Sequence, residues 1–518
     1  MWGFRSSTLA SIFLLLSVAM NFSVSHVSAA KHFQKETDRL ALLEFKKQIY
    51  DDPFGVLNSW NHSQHHCQFL SLSSNALSGK IPANLSYCSE LIAISLHDNN
   101  LEGKIPIDQL SSLKKLETFY LYTNNLTGEI PSPIGNLSSL TALNLDFNHL
   151  EGSLPMEMGL LERLAKLGIA ANKLSGIIPA SIFNSSAITV ISVADNSFHG
   201  NLPTNIGLTL PNLQLLYVGG NNFSGNFPTS ITNASGLEVL DLSNNKFAGQ
   251  IPTNLGDLTN LQFLNLQGNL FGGTIPQGFG NFVNLYILAL EENFLSGVIP
   301  RDFGKLQKLQ LLSLSQNEFS GRIVSTLCNA TALYYLNLSF NQFEGGNIFD
   351  NVLMNCQNLQ YLDISQNNFT GIISPHFLET HSSPIAMELS ENSFRGPLPP
   401  EVGKLIHLVD FNVSHNQFSG DIPMSLADCS NLENLFMQAN FFQGTIPPNL
   451  ASWKSIQQLD LSRNNLTGPI PKELEKLQYL IGYNFIIYFI INFPYYLIQG
   501  ELIAGFYSLL IFCIYFRE

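Results

Sequence analysis

An asparagine that returns at a nearly constant interval constrains this chain more than any other feature of its sequence. Asn75, Asn99, Asn124, Asn148, Asn172, Asn196, Asn221, Asn245, Asn269, Asn293, Asn317, Asn341, Asn367, Asn392, Asn416, Asn440 and Asn464 lie 24, 25 or 26 residues apart, each within a copy of L-x-L-x-x-N-x-L-x-G-x-I-P. Seventeen copies keep register over almost 400 residues, which chance spacing does not do. A period of this length marks an array of supersecondary units, none of which can bury its apolar face without a neighbour. A single core in a chain of 518 residues would be expected to divide into several domains. Stacked units grow by addition instead.

Each position in the unit has a physical task. From Val239 to Ser243, period-2 alternation puts Leu240 and Leu242 on a core face and Val239, Asp241 and Ser243 on a face expected to meet solvent. Asn245 falls where the chain leaves the strand and exposes backbone donors and acceptors. A buried amide there can satisfy them, and the row of such side chains becomes a ladder. Gly249 permits a tight bend at positive φ, and Pro252, with no N–H and a fixed φ, stops the preceding extended segment. The return segment, for example Ile134 to Leu140, reads as a short helical or 3-10 turn with its apolar side inward. The expected fold is α/β: a right-handed leucine-rich repeat solenoid of about 17 repeats of 24 residues, with a parallel β-sheet on the concave face and helical or 3-10 turns on the convex side. With strands about 4.8 Å apart, that sheet runs on the order of 80 Å.

The first residues carry an address. Met1 to Ala30 has one charge, Arg5, then an apolar run from Leu9 to Met20, then small residues at Ser28, Ala29 and Ala30, the layout of a cleaved secretory signal. An apolar run that short does not cross a bilayer, which needs about 20 residues. Asn-x-Ser/Thr sequons at Asn61, Asn84, Asn125, Asn136, Asn184, Asn222, Asn233, Asn329, Asn368, Asn412 and Asn465 agree with a secretory route and are candidate glycosylation sites. Asn337 also begins a sequon, but it lies in the middle of a strand, where no glycan is expected. Only 12% of residues are charged, about half the roughly 25% of an ordinary soluble domain. The formal charge of −14 argues against a nucleic-acid partner.

Leu-x-Gly-x-Ile-Pro in nearly every copy resembles the plant type of leucine-rich repeat. Residues 36–49, Glu-Thr-Asp-Arg-Leu-Ala-Leu-Leu-Glu-Phe-Lys-Lys-Gln-Ile, followed by Asp-Pro-Phe-Gly-Val-Leu-Asn-Ser-Trp at 52–60, resemble the N-terminal cap of plant receptor-like kinases, nearest to the subfamily of receptors for bacterial peptides. The resemblance covers residues 31 to 480 and implies a cell-surface receptor ectodomain that binds a peptide or protein ligand and recruits a co-receptor kinase. The chain then divides into a signal peptide (1–30), an incomplete cap (31–68), the solenoid (69–480) and a hydrophobic tail (481–518). Two departures stand out. The family's cap continues with Trp-x-Gly-Val-x-Cys after its first cysteine, whereas Cys67-Gln68 runs directly into the repeat at Phe69. Cys67 is thereby left as an odd thiol, and the edge is expected to be poorly closed. At the other end Tyr488 stands where the next ladder asparagine would fall, and Leu480 to Phe516 is rich in Ile, Phe, Tyr and Leu. Its two apolar stretches, Leu480 to Ile498 and Leu502 to Phe516, read either as membrane attachment or as read-through sequence.

Chemistry-bearing motifs are sparse. The sequence has no glycine-rich nucleotide loop, no His-Arg-Asp and no Asp-Phe-Gly, so the kinase domain that the resemblance would bring is not in these residues. Neither Gly-x-Ser-x-Gly nor His-Glu-x-x-His occurs, so the chain is expected to be no enzyme and to need no cofactor. His62, His65, His66 and Cys67 cluster, but no second ligand pair follows at a zinc spacing, and a solvated cap loop is the better reading. Cys88, Cys356 and Cys429 each stand 11 residues before a ladder asparagine and read as small buried apolar groups. Cys328 and Cys356 are near enough in repeat number to pair, though core packing is the preferred reading.

A ligand is expected on the sheet's outer face, where side chains stand in rows on a rigid scaffold. Most copies carry Asp, Asn or Ser there, but His97, Asp98, Tyr120, Tyr122, Asn144, Asp146 and Phe147 gather aromatics and acids on three adjacent repeats, a mix found at binding hot spots. Tyr217, Phe263, Glu291 and Glu292 form a looser second group. An acidic surface of this kind suits a basic peptide. Three functions fit: a receptor-type binding protein of immune or developmental signalling, a truncated serine/threonine receptor kinase, or a secreted inhibitor of microbial wall-degrading enzymes.

Overall fold

The computed structural model describes residues 36–53, 55, 57, 68–381 and 383–477. The signal segment, Asn61, the His62–Cys67 cluster and the tail 481–518 lie outside these residues.

Seventeen three-residue strands, the first Phe69–Ser71 and the last Gln458–Asp460, form one open parallel sheet on the concave side. Each strand pairs with the next in the same register, as in Val239↔Phe263 and Asp241↔Asn265. Short strands on the flank, from Ser78–Lys80 to Asn465–Leu466, pair in parallel as a second row. That row is more than the brief extended segment expected from the sequence, and the cap strand Ile49–Asp51 joins it antiparallel at Ser78–Lys80. On the convex side, 3-10 turns such as Ser132–Asn136 and Thr253–Asp257 open just after Pro131 and Pro252. Glycine inside these turns permits close stacking, since a Cβ on Gly256 would run into the carbonyl of Gly278 in the next coil. Among the described residues, no helix is long and apolar enough to cross a membrane.

The core is one continuous column of leucines and isoleucines, with Leu240 and Leu242 buried as the alternation requires. Two residues after the ladder asparagine, many coils replace leucine with phenylalanine. Phe198, Phe223, Phe247 and Phe271 stack with ring centroids 6.3 to 6.5 Å apart, and Phe369, Phe394, Phe418 and Phe442 repeat the arrangement at 6.2 to 6.3 Å. Such offset stacks add to plain area burial.

The ladder is built as the sequence implied and does more. Asn245 Nδ2 donates to the carbonyls of Leu242 and Ser243 in its own coil and of Val218 in the coil before, at 2.9 to 3.2 Å. Its Oδ1 accepts from Phe223 N–H, again in the coil before, at 2.9 Å. Asn269 repeats the set. The residue just before each ladder asparagine adopts positive φ, whether Gly220 and Gly268 or Asp98, Phe147 and Glu292. That strain is accepted because the turned backbone aims its carbonyls at the amide.

Three expectations are corrected. The face carrying Asp241 and Ser243 is buried, with Asp241 1% exposed, because strands less than 5 Å apart let each side chain cover the next. Cys328 and Cys356 form a disulfide between adjacent coils, Cα atoms 4.8 Å apart, whereas Cys429 is a buried thiol that donates to Val402 O. At the N-terminal edge, helix Glu36–Gln48 buries Ala41, Leu42 and Phe45 against the first coils, so the described cap covers the end of the array.

Substituting Asn245→Ala takes the acceptor from Phe223 N–H, at about 1 to 3 kcal/mol for a buried donor left unmatched, and leaves the carbonyls of Val218, Leu242 and Ser243 with one donor each, from Asn221, Asn269 and Gly220. Amide exchange in coils 221–269 is expected to rise sharply. Asn75→Ala, at the end coil where, among the described residues, the amide donates to Leu72 and Ser73, is expected to leave those coils unchanged; equal effects from both variants would contradict the ladder as a coupling device.

Candidate ligand-binding face

Three positions of each coil lie on the concave face of the sheet, six, four and two residues before the ladder asparagine, the first of them carrying Ala142, Leu215 and Phe263 in their coils. Tyr120 and Tyr122, Asn144 and Asp146, and Asp241 and Ser243 occupy the other two in their coils. The rows of successive coils lie side by side, so large groups there bury one another and shield the small ones. Tyr120, Asn144, Asp146, Tyr217, Phe263 and Glu291 are all buried, Tyr217 completely. Tyr120 and Tyr217 belong to one apolar cluster with Ala142, Ala170 and Leu215, and Phe263 to another with Ile287, Leu311 and Tyr335. These six candidates therefore form the floor of the face. His97, Asp98, Tyr122 and Phe147 are half-buried, and Glu292 is exposed. Asp98, Phe147 and Glu292 stand at the left-handed turn, where the chain leaves the sheet.

The accessible groups of the first patch are organised. The rings of His97 and Tyr122 stack with centroids 4.1 Å apart and planes 7° from parallel, and Tyr120 lies tilted beneath, 6.3 Å from Tyr122. Asp98 Oδ2 fixes the imidazole through His97 Nδ1 at 3.1 Å and accepts from Ser74 Oγ at 3.2 Å. Burial pushes both tyrosine hydroxyls up to about 12, so they remain neutral donors. The result is a flat aromatic ledge edged by one carboxylate, suited to stacking on a peptide bond, a guanidinium or another ring.

Along the same face, buried acids are protonated more readily than usual. Asp146 Oδ1 accepts from Ala170 N–H at 2.6 Å, yet desolvation pushes its carboxyl up to about 7. Burial likewise raises Asp241 to about 6. Glu388, raised to about 8 by burial and by neighbouring Asp363, marks an acidic stretch that the sequence reading passed over. Asp363 and Glu388 sit at the same motif position as Asp241 and pair in register across adjacent strands, so position alone could have found them. Tyr335 and Tyr361 stand next to them, 5.9 Å apart. Among the described residues, no three His, Cys, Asp or Glu side chains are grouped to hold a metal ion.

The sequons divide by face. Asn84, Asn136, Asn184, Asn233 and Asn329 are exposed in or beside the convex turns, and Asn125, Asn222, Asn368 and Asn465 are exposed at the starts of flank strands. On the concave sheet Asn412 is half-buried and accepts from Ser414 N–H, and Asn337 is buried. Glycans on the exposed set would leave the concave face open.

A raised carboxyl binds a proton in the fold that the unfolded chain has already released, so stability falls as pH rises between the ordinary carboxylate value and the raised one. For Asp146 that window runs from 3.8 to about 7, and for Glu388 from 4.5 to about 8. The thermal midpoint is expected to be higher at pH 5 than at pH 8, and Asp146→Asn is expected to flatten this dependence while raising stability at pH 8. A midpoint that climbs from pH 5 to pH 8 would contradict the assignment.

The sequence matches the family described as leucine-rich repeat region over residues 213–384, the leucine-rich repeat N-terminal domain over 35–71, and single leucine-rich repeats over 66–88, 115–137 and 455–477. It is 33% identical over 102 residues to a probable leucine-rich repeat receptor-like serine/threonine-protein kinase of Arabidopsis thaliana, a match spanning 17% of this chain and only 10% of that relative. The structure resembles the ectodomain of the plant membrane receptor kinase GASSHO1/SCHENGEN3 from Arabidopsis thaliana, solved in complex with CASPARIAN STRIP INTEGRITY FACTOR 2, with a TM-score of 0.70, 32% identity and coverage of 78% of this chain and 51% of that one. It also resembles the plant peptide hormone receptor RGFR1 in complex with RGF2, with a TM-score of 0.55, 30% identity, and 80% and 81% of the two chains covered. The chain belongs to the leucine-rich repeat ectodomains of plant receptor-like kinases.

Proposed function

We propose that this chain acts outside the cell as the binding portion of a plant receptor, seating a peptide or protein on the concave face over the coils of Asn99, Asn124 and Asn148. The observation that carries this reading is the His97–Tyr122 stack, a half-exposed planar surface held in place by Asp98 on an otherwise closely packed sheet. His97, Asp98, Tyr122 and Phe147 meet the ligand, with Tyr120, Asn144 and Asp146 as the floor that holds them. The second group is the weaker candidate, since Tyr217, Phe263 and Glu291 are buried and Glu292 alone projects. A basic segment fits Asp98 and the negative balance of the chain.

The work done is non-covalent. Binding orders a ligand along the sheet, and signalling then falls to a co-receptor kinase that reads the combined surface, in an immune or developmental setting. The ectodomains it resembles are solved with bound partners, which supports ligand capture over inhibition of wall-degrading enzymes; a pectinase inhibition assay with the purified protein separates the two. Panning the secreted protein against a displayed peptide library is expected to enrich lysine- and arginine-rich sequences. Affinity for the enriched peptides should fall about 5- to 30-fold in His97→Ala and in Tyr122→Ala, the range of a 1 to 2 kcal/mol contact. Unchanged affinity in both variants would place the site elsewhere.

A further inference from the structure

A cavity of about 650 Å³ opens on the flank of the solenoid, away from the concave face, between the coils of Asn317, Asn341 and Asn367. Ser320, Asn341, Gln342, Glu344, Gln366 and Asn368 line it. They come from three successive flank strands and the turns before them, joined in register at Ser320↔Gln342 and Glu344↔Asn368. The hollow coincides with the array's largest departure from its period. The spacing from Asn341 to Asn367 is 26 residues, and Gly345-Gly346-Asn347-Ile348 replaces the usual G-x-I-P. A short helix, Ile348–Asn351, and the Cys328–Cys356 disulfide belong to the same stretch.

The lining decides what fits. Its volume lies within the roughly 300 to 1,000 Å³ of small-molecule sites, but such sites are mostly apolar, and this one presents hydroxyl, amide and carboxylate groups. The amide of Asn341 serves the ladder and that of Gln366 donates to Glu391, which leaves Ser320, Gln342 and Glu344 to offer hydroxyl, amide and carboxylate groups along an open polar hollow, a lining without a cation that matches one face of a sugar bearing hydroxyls and an acetamido group. Asn368 supplies the sugar's point of attachment. It is an exposed wall residue and begins the sequon Asn368-Phe369-Thr370.

We propose that Asn368 is glycosylated and that its first N-acetylglucosamine packs into this cavity, making the glycan part of the flank's structure. In the modification the Asn368 amide nitrogen bonds to the anomeric carbon of an oligosaccharide carried on a lipid pyrophosphate. The sugar–phosphate C–O bond breaks, the amide gives up one proton, and no oxidation state changes. The inference is independent of where the ligand binds. Asn222 holds the same motif position in a coil of regular length and serves as the comparator.

The test uses the full chain secreted from a eukaryotic host that adds high-mannose glycans. Glycopeptide mass spectrometry is expected to find Asn368 occupied. Removing the sequon with Thr370→Ala, which keeps Asn368, is expected to raise amide exchange several-fold across 342–346. Thr370→Ser, and wild type trimmed enzymatically to a single N-acetylglucosamine, should exchange like the untreated protein. Ser224→Ala, which removes the glycan at Asn222, should leave its own flank strand unchanged. An unmodified Asn368, a trimmed protein that exchanges without protection, equal exchange with and without the Asn368 sequon, or an equal loss of protection at Asn222 would each overturn the proposal. The trimming arm needs no substitution, so a poorly folding variant does not remove the test.

Discussion

One side-chain amide per coil holds this molecule together across its repeats. A ladder asparagine gives its two N–H groups to three carbonyls and takes one N–H in return, and two of these four bonds reach into the coil before. Apolar burial in a leucine column is non-directional and would tolerate small slips between coils. The amide does not, because a buried donor left unmatched costs more than a methylene moved. The register of the concave sheet, and with it the position of every candidate ligand contact, follows from that constraint.

Close register has a price at the outer face. Strands set side by side at the spacing of a parallel sheet leave a tyrosine or a carboxylate little solvent of its own. The acids that sequence counts as surface charge, Asp146, Asp241 and Glu388, are held partly protonated near neutrality by desolvation. The charge presented on this face is therefore smaller than the formal charge, and the accessible side chains gather at and just before the turn, where the chain leaves the sheet. His97 is held by Asp98, and Tyr122 stacks on that imidazole, which is how a half-exposed pair acquires one geometry.

Much of this was legible in the residues. The asparagine interval announced the seventeen coils, the alternation around Leu240 and Leu242 gave the inward face, and Gly249 and Pro252 marked the bend and the strand's end. Cap residues 36–49 and the repeated Leu-x-Gly-x-Ile-Pro pointed to the receptor family. The site was legible only as a set of positions. His97, Asp98, Tyr122 and Phe147 are accessible as expected, whereas Tyr120, Tyr217, Phe263 and Glu291 were expected at the surface and are covered. Period-2 alternation reports which face a side chain takes, not what its neighbours in the adjacent coils do to it. The Cys328–Cys356 bond escaped for a related reason: sulfurs 28 residues apart meet only if consecutive coils superpose them.

The repeat, its length, the inward residues and the ladder can all be read from the residues alone, because each depends on chemistry within a single unit of about two dozen residues. Which outward residues remain accessible, which acids hold their protons, which cysteines pair and where the flank opens into a polar hollow are settled only once the coils stack. Those properties belong to contacts between coils, and their energies depend on burial and distance, which no single unit contains.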